Sequence, residues 1–134
     1  TEFDSSTRYP VINLMESQKA IKIKGGTMRL GAYDCEIIKD TKVYSAYKKN
    51  KISERHRHRY EVNNKYIKKL ENFGLTFSGF NGDLGVVESI EISNHPWYVA
   101  TQFHPELKSR VNKAHPLFRE FIKAAKLYKL NYVK

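Results

Sequence analysis

The tetrapeptide FHPE, residues 103–106, places an imidazole and a carboxylate two positions apart at the end of an apolar segment. The proline between them bends the chain, so His104 and Glu106 can both lie at the mouth of a sheet. A carboxylate at that spacing can orient an imidazole and stabilise its protonated form, as in the base-and-orienter half of a nucleophilic triad. The same motif also fits a surface turn whose histidine makes only local hydrogen bonds, so both interpretations stay open.

A triad also needs a nucleophile, and the only thiol in the sequence belongs to Cys35. It lies in a segment with strand character between Asp34 and Glu36, and neighbouring carboxylates raise a thiol pKa and so oppose activation. No G-x-S-x-G or G-x-C-x-G elbow occurs in the sequence. We therefore expect Cys35 to be structural, which leaves a base and an orienter without a residue to activate.

The five histidines and the net charge of +10 raise two other possibilities, metal binding and polyanion binding. The histidines show neither C-x-x-C nor H-E-x-x-H spacing, so no metal site is predicted. A basic domain that binds nucleic acid through Arg55, Arg57, Arg59 and the lysine-rich stretch 48–51 is a genuine alternative. Against it, the basic residues are scattered, and no helix-turn-helix, RNP or zinc-finger pattern is present.

The elements that must position these residues belong to one mixed α/β or α+β domain. The 134 residues are 40% hydrophobic, and no apolar run is long enough to cross a membrane. A single cysteine suits a reducing compartment, so we expect a cytoplasmic protein. Strands are predicted over 28–38, 75–80, 86–92 and 97–103, the last two as an antiparallel hairpin. Helices are predicted over 43–47, over 65–73 and from Pro116 onward.

The last helix carries one apolar face: Leu117, Phe118, Phe121, Ile122, Ala125 and Tyr128. The basic run 54–60, ERHRHRY, is predicted to be extended, because alternating side chains suit opposite faces of a strand. Arg55, Arg57 and Arg59 would then share one side of the strand, and His56 and His58 the other. The first 20 residues are polar and rich in turn residues.

Five segments of the chain resemble, in order and at fitting separations, the C-terminal part of the class I glutamine amidotransferase domain of CTP synthases. FHPE is shared by many class I amidotransferases, whereas RHRHRYEVN and GGTMRLG are specific to CTP synthases. The opening TEFD, with YPVI after it, resembles the segment that follows the nucleophile's helix in that domain, so the resemblance covers 1–134. The five segments are GGTMRLGAYDCEI (25–37), ERHRHRYEVNN (54–64), GLTFSGF (74–80), HPWYVATQFHPELKSR (95–110) and HPLFREFIKAA (115–125).

This resemblance implies an α/β, flavodoxin-like three-layer fold, of which residues 1–134 form the C-terminal portion. It also implies a Cys-His-Glu triad in which His104 is the general base and Glu106 orients it. Arg59 and Glu2 would bind L-glutamine. An arginine and a glutamate suit this ligand, because free glutamine carries an α-carboxylate that a guanidinium can bind and an α-ammonium that a carboxylate can bind.

The resemblance further implies a larger enzyme, in which ammonia from glutamine aminates UTP to CTP on an ATP-dependent synthetase domain. We expect ATP, Mg²⁺ and the activator GTP to bind outside this chain, which would itself hold no cofactor, and the whole to form a homo-oligomer, a tetramer. Its partners would be the rest of the amidotransferase domain and the synthetase domain, with neither nucleic acid nor membrane.

The nucleophilic cysteine of such enzymes lies in a G-x-C-L-G-x-Q elbow upstream of TEFD, so we expect this chain to lack it and to be inactive alone. An inactive, amidotransferase-like interaction module remains a further alternative. The stretch 17–24 is shorter than the loop usually found before GGTMRLG, and no role follows for Arg55, His56, Arg57 and His58 beyond support of a neighbouring loop or domain.

Overall fold

A computed structural model describes residues 1–14 and 28–132, apart from the side chain of residue 132. In chain order the strands are β1 Ile12–Leu14, β2 Arg29–Ile37, β3 Lys51–His58, β4 Tyr60–Val62, β5 Leu75–Asn81, β6 Val86–Ile92 and β7 Val99–Thr101. The helices are α1 Lys42–Tyr47, α2 Ile67–Glu71 and α3 Pro116–Tyr132, with 3-10 turns at Asn64–Tyr66 and Pro105–Lys108. Among these residues no helix is long and apolar enough to cross a membrane.

The strands form an antiparallel sheet of order β3-β2-β5-β6-β7 and a separate antiparallel ribbon of β1 and β4. The predicted strands and helices are confirmed, with shorter bounds for two of them. The 97–103 strand pairs only over Val99–Thr101, and the 65–73 helix is α-helical only over Ile67–Glu71. Strand β1 was not predicted, since its three residues are embedded in a turn-rich segment. The stretch 17–24, with its shortened loop, lies outside the described residues.

The core forms where α1 and the start of α3 cover one face of the sheet. Its buried apolar members are Cys35, Ile37, Val43, Ala46, Ile52, Phe103 and Leu117. Helix α1 is fixed to the sheet by Glu91 of β6, whose two carboxylate oxygens accept the Lys42 and Val43 amides at 3.0 and 3.2 Å. These amides lie in the first turn of the helix and would otherwise lack partners. The Thr41 hydroxyl caps the same end by accepting the Tyr44 amide at 3.0 Å.

Helix α3 is confirmed, but most of its apolar face is turned away from the described core. Leu117 is buried, whereas Phe118, Phe121 and Ile122 are 40, 50 and 63% exposed. An amphipathic helix normally covers such a face. Within the described residues, α3 therefore contributes to the core mainly through Leu117 of its first turn.

Candidate active site

The FHPE segment leaves the sheet at a buried anchor and delivers His104 onto a tight turn. Phe103 is 2% exposed within the core, and the His104 amide donates to the Arg55 carbonyl of β3 at 2.8 Å. Pro105 then begins a 3-10 turn that is closed by the Leu107 amide donating to the His104 carbonyl at 3.1 Å. Proline suits the first position of a helical turn, so this local sequence holds the His104 backbone in place.

The two predicted catalytic side chains are in contact. His104 Nδ1 lies 2.6 Å from Glu106 Oε1, and the two side chains are 39 and 57% exposed. The hydrogen bond from His104 lowers the pKa of Glu106, so the carboxylate is ionised and fixes the proton of the imidazole on Nδ1. Nε2 makes no hydrogen bond within the described residues and is free to exchange a proton with a ligand.

The predicted glutamine-binding residues Glu2 and Arg59 line one cavity of about 450 Å³, together with Ile12, Met28, Arg57, His58, Tyr60 and Gln102. Arg59 lies in the bend between β3 and β4, and its buried Nε has no hydrogen-bond partner in the described part of the chain. A carboxylate and a guanidinium whose Nε has no hydrogen-bond partner in the described residues thus line the same space. His104 and Glu106 do not line this cavity, although Gln102, two residues before His104, does.

The basic run is extended as predicted, and its alternation divides it between two environments. Arg55 and Arg57 are exposed on β3, whereas His56 is 1% exposed and His58 is half-buried. The strand ends at His58, so Arg59 does not continue the alternation as we expected. The run is therefore not one continuous basic surface.

A buried arginine with two carboxylates lies behind this run. Arg29 of β2 places one terminal nitrogen 3.2 Å from Glu61 Oε1 and the other 2.6 Å from Glu88 Oε1. All three side chains are at most 5% exposed. Burial raises the pKa of Glu61, and it raises the pKa of Glu88 to about 7 even though Arg29 acts in the opposite direction. One guanidinium therefore serves two carboxylates in a region with little solvent.

The two histidines form a chain that connects this cluster to the cavity. His56 Nδ1 lies 2.8 Å from His58 Nε2, and His58 Nδ1 lies 3.2 Å from the Tyr60 carbonyl oxygen. Burial, reinforced by nearby Arg29, lowers the pKa of His56 to about 3 and that of His58 to about 4, so both rings are neutral near pH 7. The alternating spacing on a strand could have indicated that the histidines point inward. Their partners could not be found from spacing, because Arg29 and Glu88 lie on other strands.

Cys35 is fully buried in the core, in agreement with the structural role that we expected. Its thiol pKa is raised to about 12, chiefly by burial and then by Glu88 and Glu54. The direction is as predicted, but the main cause differs, because adjacent Glu36 contributes least and Asp34 is not among the causes. A thiol that stays protonated is not a nucleophile at neutral pH. In the described residues, no group of three or more histidine, cysteine, aspartate or glutamate side chains is placed to hold a metal ion.

Comparison with known proteins shows the family to which the chain belongs. The sequence model of the family "Glutamine amidotransferase class-I" matches residues 7–124, which is most of the chain. The chain belongs to this family. The chain is 60% identical to the CTP synthase of Methanosphaera stadtmanae over 131 residues, 98% of this chain and 24% of that protein. It is 57% identical to the CTP synthase of Christiangramia forsetii over 125 residues, 93% of this chain and 23% of that protein.

The amidotransferase fold is also found in the solved structures. The glutaminase domain of Trypanosoma brucei CTPS with bound acivicin superposes with a TM-score of 0.86 at 33% identity, covering 94% of this chain and 49% of that one. A putative GMP synthase component from Thermoplasma acidophilum, at a TM-score of 0.57 and 20% identity, shares the fold over 77% of this chain and 47% of that one. The expected fold class and the resemblance to CTP synthases are confirmed, and the chain spans about a quarter of the length of its curated relatives.

Proposed function

We propose that this amidotransferase chain carries the base, its orienter and the substrate-binding residues of a glutamine-hydrolysing site in a CTP synthase. The observation that carries the proposal is the 2.6 Å contact between His104 Nδ1 and Glu106 Oε1, which leaves Nε2 available for proton transfer. The CTP synthase relatives at 57 and 60% identity support the substrate and the overall reaction.

In this proposal His104 Nε2 accepts the proton of a cysteine thiol as the sulfur attacks the side-chain amide carbon of glutamine. The imidazolium, stabilised by Glu106, then gives that proton to the leaving nitrogen, and ammonia departs from a γ-glutamyl thioester. His104 next accepts a proton from water, whose oxygen attacks the thioester, and returns it to the sulfur as glutamate is released. The thiol comes from outside these 134 residues, because Cys35 is buried and protonated.

Glutamine binding is assigned to the cavity shared by Glu2 and Arg59. The Arg59 guanidinium would take the α-carboxylate and the Glu2 carboxylate the α-ammonium, which matches the two charges of the ligand. The buried, unpartnered Arg59 Nε supports this role, since a donor in that state gains a partner when an anion binds.

The ammonia would be used by a synthetase domain to aminate UTP to CTP at the expense of ATP, with Mg²⁺ and with GTP as activator. No residue of this chain is assigned to those nucleotides or to the metal. The chain alone would not hydrolyse glutamine. The whole enzyme is proposed to be a cytoplasmic homo-oligomer, a tetramer.

His104→Ala in the full-length protein tests this proposal. Glutamine-dependent CTP formation should fall by at least about a thousandfold, while ammonia-dependent formation should stay near the wild-type rate, because only hydrolysis uses the base. His95→Ala is a matched control, since His95 is an exposed histidine in the turn between β6 and β7. An equal loss with ammonia and with glutamine would show that His104 is structural and would contradict the assignment.

A further inference from the structure

The backbone next to Arg59 is held by two side chains that the proposed reaction does not use. The Tyr60 carbonyl accepts His58 Nδ1 at 3.2 Å and Gln102 Nε2 at 3.3 Å. This carbonyl belongs to the residue after Arg59, and Arg59 itself has already left the β3 strand and lines the cavity. On the basis of the proposed function, we infer that His58 is a positioning residue. It holds the bend at Arg59 and Tyr60 so that the Arg59 guanidinium can bind the α-carboxylate of glutamine.

The direction of each hydrogen bond in the histidine chain follows from its last acceptor. A carbonyl oxygen can only accept, so His58 carries its proton on Nδ1, and Nε2 of the neutral ring is an acceptor. His56 must then donate through Nδ1, which leaves His56 Nε2 as an acceptor as well. The hydrogen bonds of the histidine chain therefore all point from the buried cluster towards the cavity.

His56, at the inner end of the histidine chain, lies against Glu88. His56 Nε2 is 3.5 Å from Glu88 Oε2, and neither atom has a hydrogen-bond partner within the described residues. Two acceptors that face each other in a buried site are repulsive unless a proton lies between them. Below about pH 7 the His56–Glu88 pair therefore holds one proton, and because burial raises the pKa of Glu88 and lowers that of His56, this proton lies on the carboxyl.

The charges around the pair agree with this assignment. Arg29 of β2 supplies one positive charge and Glu61 of β4 one negative charge, so a protonated Glu88 leaves the cluster neutral. Among the described residues, Cys35 of β2, His58 of β3 and the more distant His104 also face the pair; Cys35 stays protonated, and a charge on either histidine would oppose protonation of His56. The neutral histidine pair, with Glu88 against its inner end, thus supports the bend at Arg59 from behind.

Two substitutions at His58 in the full-length protein distinguish the role of its Nδ1 atom from that of its Nε2 atom. In His58→Asn the amide nitrogen lies near the position of Nδ1 and can still donate to the Tyr60 carbonyl. In His58→Gln the amide lies near Nε2, so the bond to Tyr60 is lost. We expect His58→Gln to raise the KM for glutamine about tenfold with kcat within about twofold, and His58→Asn to stay within about threefold of the wild-type KM.

Ammonia-dependent CTP formation distinguishes positioning from a general loss of structure. It should be unchanged in both His58 variants, whereas a misfolded site would lower kcat with either nitrogen source. His95→Gln, at an exposed turn, is the matched control for the substitution. The inference is overturned if His58→Gln leaves the KM for glutamine unchanged, if His58→Asn is as impaired as His58→Gln, or if ammonia-dependent activity falls equally.

A direct measurement keeps the inference testable where a variant does not fold. Neutron diffraction from the wild-type protein should show deuterium on Nδ1 of both His56 and His58. It should also show one deuterium between His56 and Glu88, bound to either His56 Nε2 or Glu88 Oε2. Deuterium on His58 Nε2 would overturn the inference whatever the kinetics. A wild-type protein that makes CTP from ammonia but never from glutamine would instead refute the proposed function, and the inference about glutamine with it.

Discussion

Replacement of Glu88 by glutamine should stabilise the protein at alkaline pH, although Glu88 is a buried ion-pair partner of Arg29. Loss of one partner from a buried ion pair ordinarily costs about 3–5 kcal/mol, because a charge is left uncompensated. Here Arg29 retains Glu61 at 3.2 Å. The glutamine amide resembles the protonated carboxyl, since its oxygen can accept from Arg29 while its nitrogen donates to His56 Nε2.

The size of the effect follows from the pKa of Glu88. A rise of the pKa of Glu88 from the ordinary glutamate value of 4.5 to about 7 corresponds to about 3 kcal/mol of folding free energy. The folded state holds the proton more tightly, so this contribution is fully present below pH 4.5 and is lost as the pH rises through 7. Between pH 5 and pH 8 the wild type should therefore lose about 2–3 kcal/mol relative to Glu88→Gln.

Hydrogen exchange of the β3 amides in the full-length protein, followed by mass spectrometry, measures this difference locally. Comparison of the two proteins at the same pH cancels the intrinsic exchange rate and, to first order, the titration of His56 and His58. Protection of β3 in Glu88→Gln relative to wild type should rise on the order of 50-fold between pH 5 and pH 8.

Glu91→Gln on the same strand is the matched control. Both oxygens of Glu91 accept backbone amides of α1, so an amide nitrogen there loses an acceptor and should destabilise α1 by about 1–3 kcal/mol at either pH. A Glu88→Gln variant that is several kcal/mol less stable than the wild type at pH 8, or a difference that does not change with pH, would refute the protonated state of Glu88.

Three further outcomes follow from the contacts described above. Arg59→Ala should weaken glutamine binding by about 1.5–3 kcal/mol, which corresponds to a KM raised roughly 10- to 100-fold. Arg55→Ala, which removes an exposed side chain from β3, is the control. An equally large effect of Arg55→Ala would contradict a specific role of Arg59. Gly79→Ala should destabilise the protein by about 1–3 kcal/mol in thermal or chemical unfolding, because the new methyl group would lie 2.6 Å from Ser89 Oγ and 2.8 Å from Cys35 Sγ. Cys35 should resist alkylation by iodoacetamide at pH 8 until the protein is unfolded, and rapid modification of the folded protein would contradict its burial.

Local parts of the fold and the site were open to prediction from the sequence. The turn that joins His104 to Glu106 is determined by a proline and a two-residue spacing, so its geometry depends on few distant residues. The same is true of the alternation along β3, in which successive side chains point to opposite faces whatever the sheet contains. Both features were expected, and the structure has them.

Contacts between distant segments were not open to prediction in this way. The partner of His56 lies 32 residues further along the chain on β6, and Arg29 precedes it by 27, so neither spacing nor periodicity connects them. The end of β3 at His58 is a second example. The bend that follows is stabilised by Gln102, which reaches Tyr60 from beyond β7, and therefore depends on tertiary structure.

The alternation of arginine and histidine in β3 also protects the strand against mispairing with β2. A shift of one residue would exchange the two faces, and Arg55 and Arg57 would then enter the space that holds His56. Two further guanidinium groups would be buried beside the two carboxylates that already bind Arg29, so three cations would face at most two anions in a buried site. The misaligned sheet is thus strongly disfavoured as the domain folds. The stretch that makes the sequence look most like a polyanion-binding surface acts, in the folded chain, as a signal for the correct strand register.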